Sequence, residues 1–194
     1  MFTDKAKSTD IVSAAMTFGN GSKETVRGGG VFRFECYDKD GNLKWNEESN
    51  NLVVNVGLKD MNDKYFSGSS YTATWYLGLI TGPGSGTTIA AGDTMSSHAG
   101  WSENTSYSQA TRPACTFGAA TTADPSVISN SASVAVFSIN GTATIAGAFL
   151  TSDNTKSGTS GILFSASDFQ SPGDRAVVSG DTLNVTYTFS LDAT

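Results

Sequence analysis

The sequence predicts a mainly β protein, an antiparallel β-sandwich of jelly-roll-like or immunoglobulin-like type, with one short helix and an extended N-terminal arm. The chain of 194 residues contains 21 glycines, and only 15% of its residues are charged, which is typical of turn-rich β proteins. Short segments of alternating apolar and polar residues recur between turn-forming residues. One segment alone is spaced like a helix. The length suits one principal domain.

Residues 1–30 are predicted to form the arm, and residues 31–194 the sandwich domain. The arm is small and polar and ends in "VRGGG", whose glycines impose little backbone preference. It carries Phe2 and Phe18, which are candidate contacts to a partner, because a few apolar residues suit a segment that orders on binding. The alternative is a first edge strand within "IVSAAMTF".

The first strand is predicted in "VFRFECYD", where Phe32, Phe34 and Cys36 share one face. "DKDGN" then supplies an Asp-Gly turn, and "LKWNE" is the returning strand of a hairpin. Asp38 and Asp40 are reminiscent of a calcium loop. The glycine, however, is the fourth residue of the run and the twelfth is not acidic, whereas an EF-hand has glycine at the sixth position and Glu at the twelfth. A plain hairpin is therefore favoured.

The helix is predicted in "NNLVVNVGLKDMNDKYF", with Asn50 or Asn51 as its N-cap. Tyr65 is expected to add apolar area. The internal Gly57 costs a helix about 1 kcal/mol relative to alanine, so we expect it to mark close packing against a sheet or a bend. The helix is expected to cover one opening of the sandwich.

Six later segments are predicted to be strands, and the last alternates most regularly: "ATWYLGLIT", "ATRPACTFGAA", "SASVAVFSIN", "GTATIAGAFLTS", "SGILFSASDF" and "DTLNVTYTFSLD". Asn140-Gly141 predicts a tight turn with positive φ between two antiparallel strands. "AGDTM" at residues 91–95 and "SGDTL" at residues 179–183 share a pattern that an Asp or Thr turn explains.

Charge and hydropathy argue against several classes of partner. The formal net charge is −6, and the chain has no cluster of Lys and Arg with which to bind nucleic acid or an anionic membrane surface. No apolar run approaches the roughly 18 residues of a membrane span, and the N-terminus lacks the apolar core of a signal peptide. We therefore expect a protein made and kept in the cytoplasm unless it is released in another way, with Cys36 and Cys115 reduced and buried.

The segment "DTMSSHAGWSE" contains the single histidine, His98, and one of three tryptophans, Trp101. A hydrolase needs a nucleophile beside its base, and no G-x-S-x-G motif is present. A zinc site needs three or four neighbouring ligands. We predict an ordered turn in which Asp93 caps, His98 bonds to backbone and Trp101 covers the core.

A glycosidase needs only two carboxylates, but nothing selects a pair among Glu47, Glu48, Asp93 and Glu103. We expect no enzyme, no cofactor and no metal. Aromatic residues could instead stack on a sugar or on a neighbouring subunit. That platform would draw on the following residues: Trp75, Tyr76, Trp101 and Tyr107.

Over residues 31–192 the order of motifs resembles a group of small structural proteins encoded in the virion modules of tailed bacteriophages. The motifs are "NLVVNVGLKDMNDKYF", "YLGLI", "DTMSSHAGWSE", "TRPACTFGAA", "ISNSASVAVFSINGTATIAGAFLTS" and "GDTLNVTYTFSL". The resemblance implies a capsid decoration (cement) protein, or a tail or neck accessory protein, with no catalytic residues to carry over.

Under that resemblance the partners are the major capsid protein or other virion proteins, and the location is the virion. A homo-oligomer is expected, with a trimer favoured because it suits local threefold positions of a shell. The alternative is a receptor-binding or carbohydrate-binding module of the tail or neck. The candidate interaction residues under either reading are Trp101, His98, Trp75, Tyr107, Phe2 and Phe18.

Overall fold

A computed structural model describes residues 26–71, 74–81, 87–170 and 173–193. Eleven strands and one helix lie in this part of the chain, and all strand pairings are antiparallel. The predicted mainly β fold with one short helix is thus confirmed. The elements are β1 (Val26–Tyr37), β2 (Leu43–Val53), α1 (Asn55–Tyr65), β3 (Trp75–Thr81), β4 (Ser102–Asn104), β5 (Ala114–Cys115), β6 (Ser126–Ser129), β7 (Ala135–Ser138), β8 (Ala143–Thr151), β9 (Leu163–Asp168), β10 (Arg175–Val177) and β11 (Thr182–Ala193).

The strands form one continuous sheet folded into two halves. The order is β4-β3-β8-β9-β2-β1-β11-β6; β7 also pairs with β11, β5 with β3, and β10 with β8. Strand β2 belongs to both halves, because residues 43–50 pair with β1 and residues 51–53 pair with β9. We call the part containing β1, β11, β6 and β7 the first half, and the part containing β9, β8, β3, β4, β5 and β10 the second half.

The main core lies between the two halves. Phe32 and Phe34 of β1 and Tyr187 of β11 meet Leu77 of β3 and Phe164 of β9 in one buried cluster. The rings of Phe164 and Phe189 approach edge to face across the two halves, with centroids 5.5 Å apart. Burial of this apolar area is the dominant favourable contribution to folding.

A second, smaller cluster covers the other face of the second half. It joins Ala146 and Phe149 of β8 to Val54, Met95 and Trp101. Strand β8 is consequently buried on both faces over most of its length. This double burial explains why its sequence, "ATIAGAFLT", is a nearly continuous small and apolar run and does not alternate cleanly.

Strand β1 begins at Val26, ahead of the boundary predicted at residue 30/31. Residues 26–30 pair with β11 in register, from Val26 opposite Ala193 to Gly30 opposite Phe189. A Cβ atom at Gly30 would lie 2.7 Å from the Tyr187 hydroxyl oxygen and 2.9 Å from a backbone oxygen of Thr188. The glycine is therefore needed for close approach, and "VRGGG" is strand. Residues 1–25, with Phe2 and Phe18, lie outside the described residues.

The predicted helix starts too early. Asn50 and Asn51 belong to β2, and α1 begins at Asn55 after Val54, which offers no side-chain cap. The Asn51 amide serves another purpose, since its Oδ1 accepts from Gly30 N (2.7 Å) and its Nδ2 donates to the Tyr187 hydroxyl (2.8 Å). The start of the helix was predicted too early because the end of β2 and the start of α1 form one continuous apolar pattern.

Gly57 packs against a sheet, as predicted. A Cβ atom at this position would lie 2.3 Å from the carbonyl oxygen of Phe164 in β9. The helix therefore rests directly on the backbone of the second half, where alanine would not fit without displacement.

The hairpin of β1 and β2 is confirmed. Gly41 has φ of +84°, and Asp38 Oδ1 accepts from the backbone N–H groups of Asp40 (2.9 Å) and Asn42 (2.8 Å). This is the local side-chain bonding that favours Asp in turns. The Asp38 side chain thus builds the turn, while the Asp40 carboxylate pairs with Lys39.

The hairpin predicted at Asn140-Gly141 is wrong. Strand β7 pairs with β11 in the first half, whereas β8 pairs with β3 and β9 in the second. The connection crosses from one half to the other, and Gly141 is absent from the described glycines with positive φ. Alternating residues on both sides of an Asn-Gly pair do not reveal that the flanking strands are separate.

The remaining strand predictions are confirmed in place. All are shorter than predicted except the last, Thr182–Ala193, which has the predicted length. "ATRPACTFGAA" contributes only Ala114–Cys115. Three short strands were not predicted: Ser102–Asn104, Ser126–Ser129 and Arg175–Val177. Two to four residues are too few to show a period, so these strands exist only through their neighbours.

Candidate functional site

The segment from residue 93 to residue 103 is a structural turn on the outer face of the second half. Asp93 Oδ2 accepts from Ala90 N (3.0 Å) and from the indole Nε1 of Trp101 (2.9 Å). His98 stacks on Trp101 with ring centroids 3.9 Å apart, and its Nδ1 lies 3.0 Å from the Trp101 carbonyl oxygen. Trp101 is 6% exposed and packs on Phe149. The predicted roles of Asp93, His98 and Trp101 are those observed.

The same turn recurs at Asp181. Asp181 Oδ2 accepts from Val178 N (2.9 Å), and Asp181 N donates back to the Val178 carbonyl (3.0 Å), as Asp93 does with Ala90. The Asp93 carboxylate also accepts from the Trp101 indole, and the Asp181 carboxylate accepts from the Lys44 ammonium and the Cys36 thiol. The shared pattern of the two segments is thus a shared turn.

Both thiols are free and buried. Burial, followed by the negative charge of Asp181, raises the pKa of Cys36 to about 11. Burial alone raises the pKa of Cys115 to about 12. A thiol needs its thiolate form to act as a nucleophile or a metal ligand, so neither cysteine is placed for that chemistry.

Tyr107 lies over the core beside a buried ion pair. It is 1% exposed, and its ring packs edge to face on Phe137 with centroids 5.0 Å apart. Lys156 Nζ sits 3.9 Å from the ring centroid and donates to the Tyr107 carbonyl at 2.7 Å. Burial, followed by the charge of Glu103, raises the pKa of the Tyr107 hydroxyl. Tyr107 is therefore not a surface contact.

The ion pair beside it joins Arg112 to Glu103 in a bidentate arrangement. Arg112 Nε and Nη2 donate to the two carboxylate oxygens at 2.9 and 2.7 Å, and the Arg112 side chain is 0% exposed. The guanidinium also donates to the carbonyls of Asp153 and Gly158, both at 2.9 Å. It thereby ties the loop after β8 to the loop between β4 and β5. A lone Arg in "TRPAC" gave no signal of this role.

The remaining predicted aromatic platform is not assembled. Trp75 is half-buried and packs on Phe164 with centroids 5.5 Å apart, while Trp101 and Tyr107 are buried. The most exposed aromatic residues of the described chain lie elsewhere. They are Tyr65, Phe66 and Tyr71, at 83%, 78% and 72% exposure. Tyr65 was expected to add apolar area to the helix, and the structure leaves that area in solvent.

A shallow depression of about 330 Å³ lies on the solvent face of β1 and β2. It is lined by Arg33, Glu35, Asn46, Glu47 and Glu48. Arg33 pairs with Glu48 across the strands. Small-molecule sites are concave and mostly apolar, so this charged and open surface is a poor candidate for one.

Within the described residues, no group of three or more His, Cys, Asp or Glu side chains could hold a metal ion. The helix in that part of the chain is too short and too polar to cross a membrane. Comparisons with family models, with curated proteins and with solved structures found no match to this chain.

Proposed function

We propose that this chain is a structural virion protein, most specifically a decoration protein that binds the outer surface of a phage head. The order of motifs over residues 31–192 supports it. The observation that carries the proposal is that the side chains best able to do chemistry serve packing and loop attachment. His98 and Trp101 form a packed pair, Tyr107 lies in the core, and Arg112 with Glu103 joins two loops. These structural roles favour a binding protein over an enzyme.

The architecture suits that role. Apolar clusters lie on both faces of the second half, and the buried charges Asp93, Arg112 and Asp181 have partners. A decoration protein must hold its shape on a repeating surface and can attach through modest contacts, since several sites on one lattice add through effective concentration. We place the major capsid protein as its partner and favour a trimer at local threefold positions.

The second candidate is a tail or neck accessory protein that binds a receptor glycan. The exposure of Tyr65, Phe66 and Tyr71 favours it, because aromatic faces stack on sugars. In this version the stacking surface is that trio, since Trp101 and Tyr107 are buried.

Copy number separates the two candidates. Particles are purified from a host that produces the phage encoding this chain, and the ratio of this protein to the major shell protein is measured by quantitative mass spectrometry. We expect copies in the hundreds, with immunogold label over the whole shell. A handful of copies, with label at one vertex, would favour the tail. Absence of the protein from intact particles would reject both.

A further inference from the structure

Three aromatic side chains stand in solvent where α1 ends. Tyr65, Phe66 and Tyr71 are 83%, 78% and 72% exposed, and the first two rings meet edge to face with centroids 4.9 Å apart. Scattered apolar residues are common on protein surfaces, but a contiguous apolar patch usually marks a contact. We call residues 65–71 the aromatic loop.

The apolar surface extends along the helix. Leu58 is 48% exposed and precedes Tyr65 by two helical turns, so both side chains lie on one face of α1. An aromatic side chain carries 150–250 Å², so three at these exposures present roughly 450 Å². The surface is sizeable without being a full interface.

The aromatic loop is held in one shape. Phe66 N donates to the Asn62 carbonyl at 2.9 Å, and Ser67 N and Ser69 N both donate to the Asp63 carbonyl at 3.2 Å. Lys64 Nζ reaches forward to the Ser70 carbonyl. Gly68, with φ of +67°, allows the chain to turn back. A preorganised loop loses less conformational entropy on binding.

We propose that the aromatic loop together with Leu58 is the surface by which the protein docks on the repeating protein shell of the particle. This rests on the proposed function. A stable, isolated dimer buries about 800 Å² per partner, and the patch offers about half of that. The patch therefore suits a repeating partner surface that binds the aromatic loops of several copies of this chain in one oligomer. A high effective concentration then compensates for the weakness of each single contact.

The charges indicate the chemistry of the partner surface. Lys59 pairs with Asp63 and Lys64 with Asp60, which leaves the helix beside the aromatic loop locally neutral. The whole chain carries a net charge of −6. The complementary surface at the loop is therefore an apolar pocket. The net negative charge of the chain favours a shell whose surface is basic overall, because complementary charge raises the rate of encounter and orients the partners.

The test uses the full chain and particles assembled without it. The variant Tyr65→Ser/Phe66→Ser/Tyr71→Ser is titrated onto these particles beside the unaltered protein, and bound copies are counted. We expect the apparent Kd to rise at least tenfold, which corresponds to about 1.4 kcal/mol. Because the three side chains are exposed, the thermal midpoint should not change.

The matched control removes exposed apolar side chains elsewhere. Leu43→Ser/Val136→Ser/Val178→Ser alters residues that are 52%, 42% and 44% exposed, and it should bind as the unaltered protein does. If the aromatic variant also binds normally, the docking proposal is wrong while the proposed function stands. If the unaltered protein fails to bind, both are wrong. If the aromatic variant loses only self-association or glycan binding, a second copy or a sugar occupies the loop and the docking proposal is again overturned.

Discussion

At the scale of single residues, the molecule contains both a buried and an exposed ion pair, and they differ in what they contribute to stability. Arg112 is fully buried and satisfies Glu103 and two backbone carbonyls. Arg33, by contrast, pairs with Glu48 where both side chains are more than half exposed. Removing one partner of a buried pair leaves an uncompensated charge, whereas exposed pairs contribute little.

We expect Arg112→Met to lower the free energy of unfolding by about 3–5 kcal/mol, because the buried Glu103 carboxylate loses its counter-charge. Arg33→Met is the control, and it should change stability by less than about 1 kcal/mol. Urea denaturation followed by tryptophan fluorescence measures both. Equal effects of the two substitutions would contradict this account of the ion pair.

The buried thiol of Cys36 predicts a loss of stability at alkaline pH. Its pKa rises from the ordinary 9.0 to about 11 in the folded protein, so the unfolded chain releases this proton first. The stabilisation is complete below about pH 9 and is lost as the pH rises to about 11. Unfolding free energies measured across that window should fall, and fall less steeply in Cys36→Ala. An unchanged slope in that variant would assign the effect to other groups.

The role of Trp101 could be predicted from residues alone, because Asp93, His98 and Trp101 lie close together in sequence and turn chemistry is local. The burial of Tyr107 and the role of Arg112 could not. Arg112 bonds to Asp153 and Gly158, which are distant in the chain, and no local pattern specifies such contacts.

At the scale of elements, glycines show where two backbones meet. Gly57 lets α1 rest on β9. In an exposed helix, alanine would stabilise by about 1 kcal/mol relative to glycine, but here the added Cβ atom meets a carbonyl oxygen at 2.3 Å. Close approach outweighs helix propensity at this position.

Gly57→Ala should therefore destabilise the protein, by roughly 1–3 kcal/mol, as overpacking does. Gly92→Ala is the control, because a Cβ atom there meets nothing within 4 Å. Thermal unfolding by circular dichroism compares them. A higher midpoint for Gly57→Ala would show that α1 moves freely on the sheet.

A second pair of glycines tests the turns. Gly180 has φ of +95°, so Gly180→Ala should cost about 1 kcal/mol or more through backbone strain. Gly141→Ala should be nearly neutral, since its Cβ atom would meet only Ser106 atoms at 3.8 Å and beyond. The denaturant midpoints of the two variants are compared. A greater loss of stability in Gly141→Ala than in Gly180→Ala would support a tight turn at Asn140-Gly141.

The elements with long alternation were predictable, as β1 and β11 show. The start of α1 could not be predicted, since the apolar pattern of the helix continues back into the end of β2. The short strands could not be predicted either, because pairing with β3, β8 or β11 defines them more than their own residues do.

At the scale of the whole molecule, β1 is part of the sheet from Val26 onward. Deleting residues 1–30 should therefore lower the free energy of unfolding more than deleting residues 1–25 does. The longer deletion removes the pairing of Val26–Gly30 with β11 and the bond from Gly30 N to Asn51.

Differential scanning calorimetry of the two truncated chains measures this, and particle binding is compared at the same time. We expect the shorter deletion to weaken attachment about tenfold if residues 1–25 bind the partner, which is about 1.4 kcal/mol. Equal stability of the two truncated chains would place the boundary after Gly30, as the sequence had suggested.

The position of β11 has a consequence for how the chain folds while it is being made. This strand is central to the first half, with β1 on one edge and β6 and β7 on the other, yet the ribosome adds it after all other described strands. Until it emerges, one edge of the hairpin of β1 and β2 has no partner strand, and Phe32 lacks the Tyr187 ring that packs on it with centroids 4.6 Å apart. Such non-local pairing folds slowly and exposes aggregation-prone surface. Completion of translation thus controls when the first half of the sheet can close.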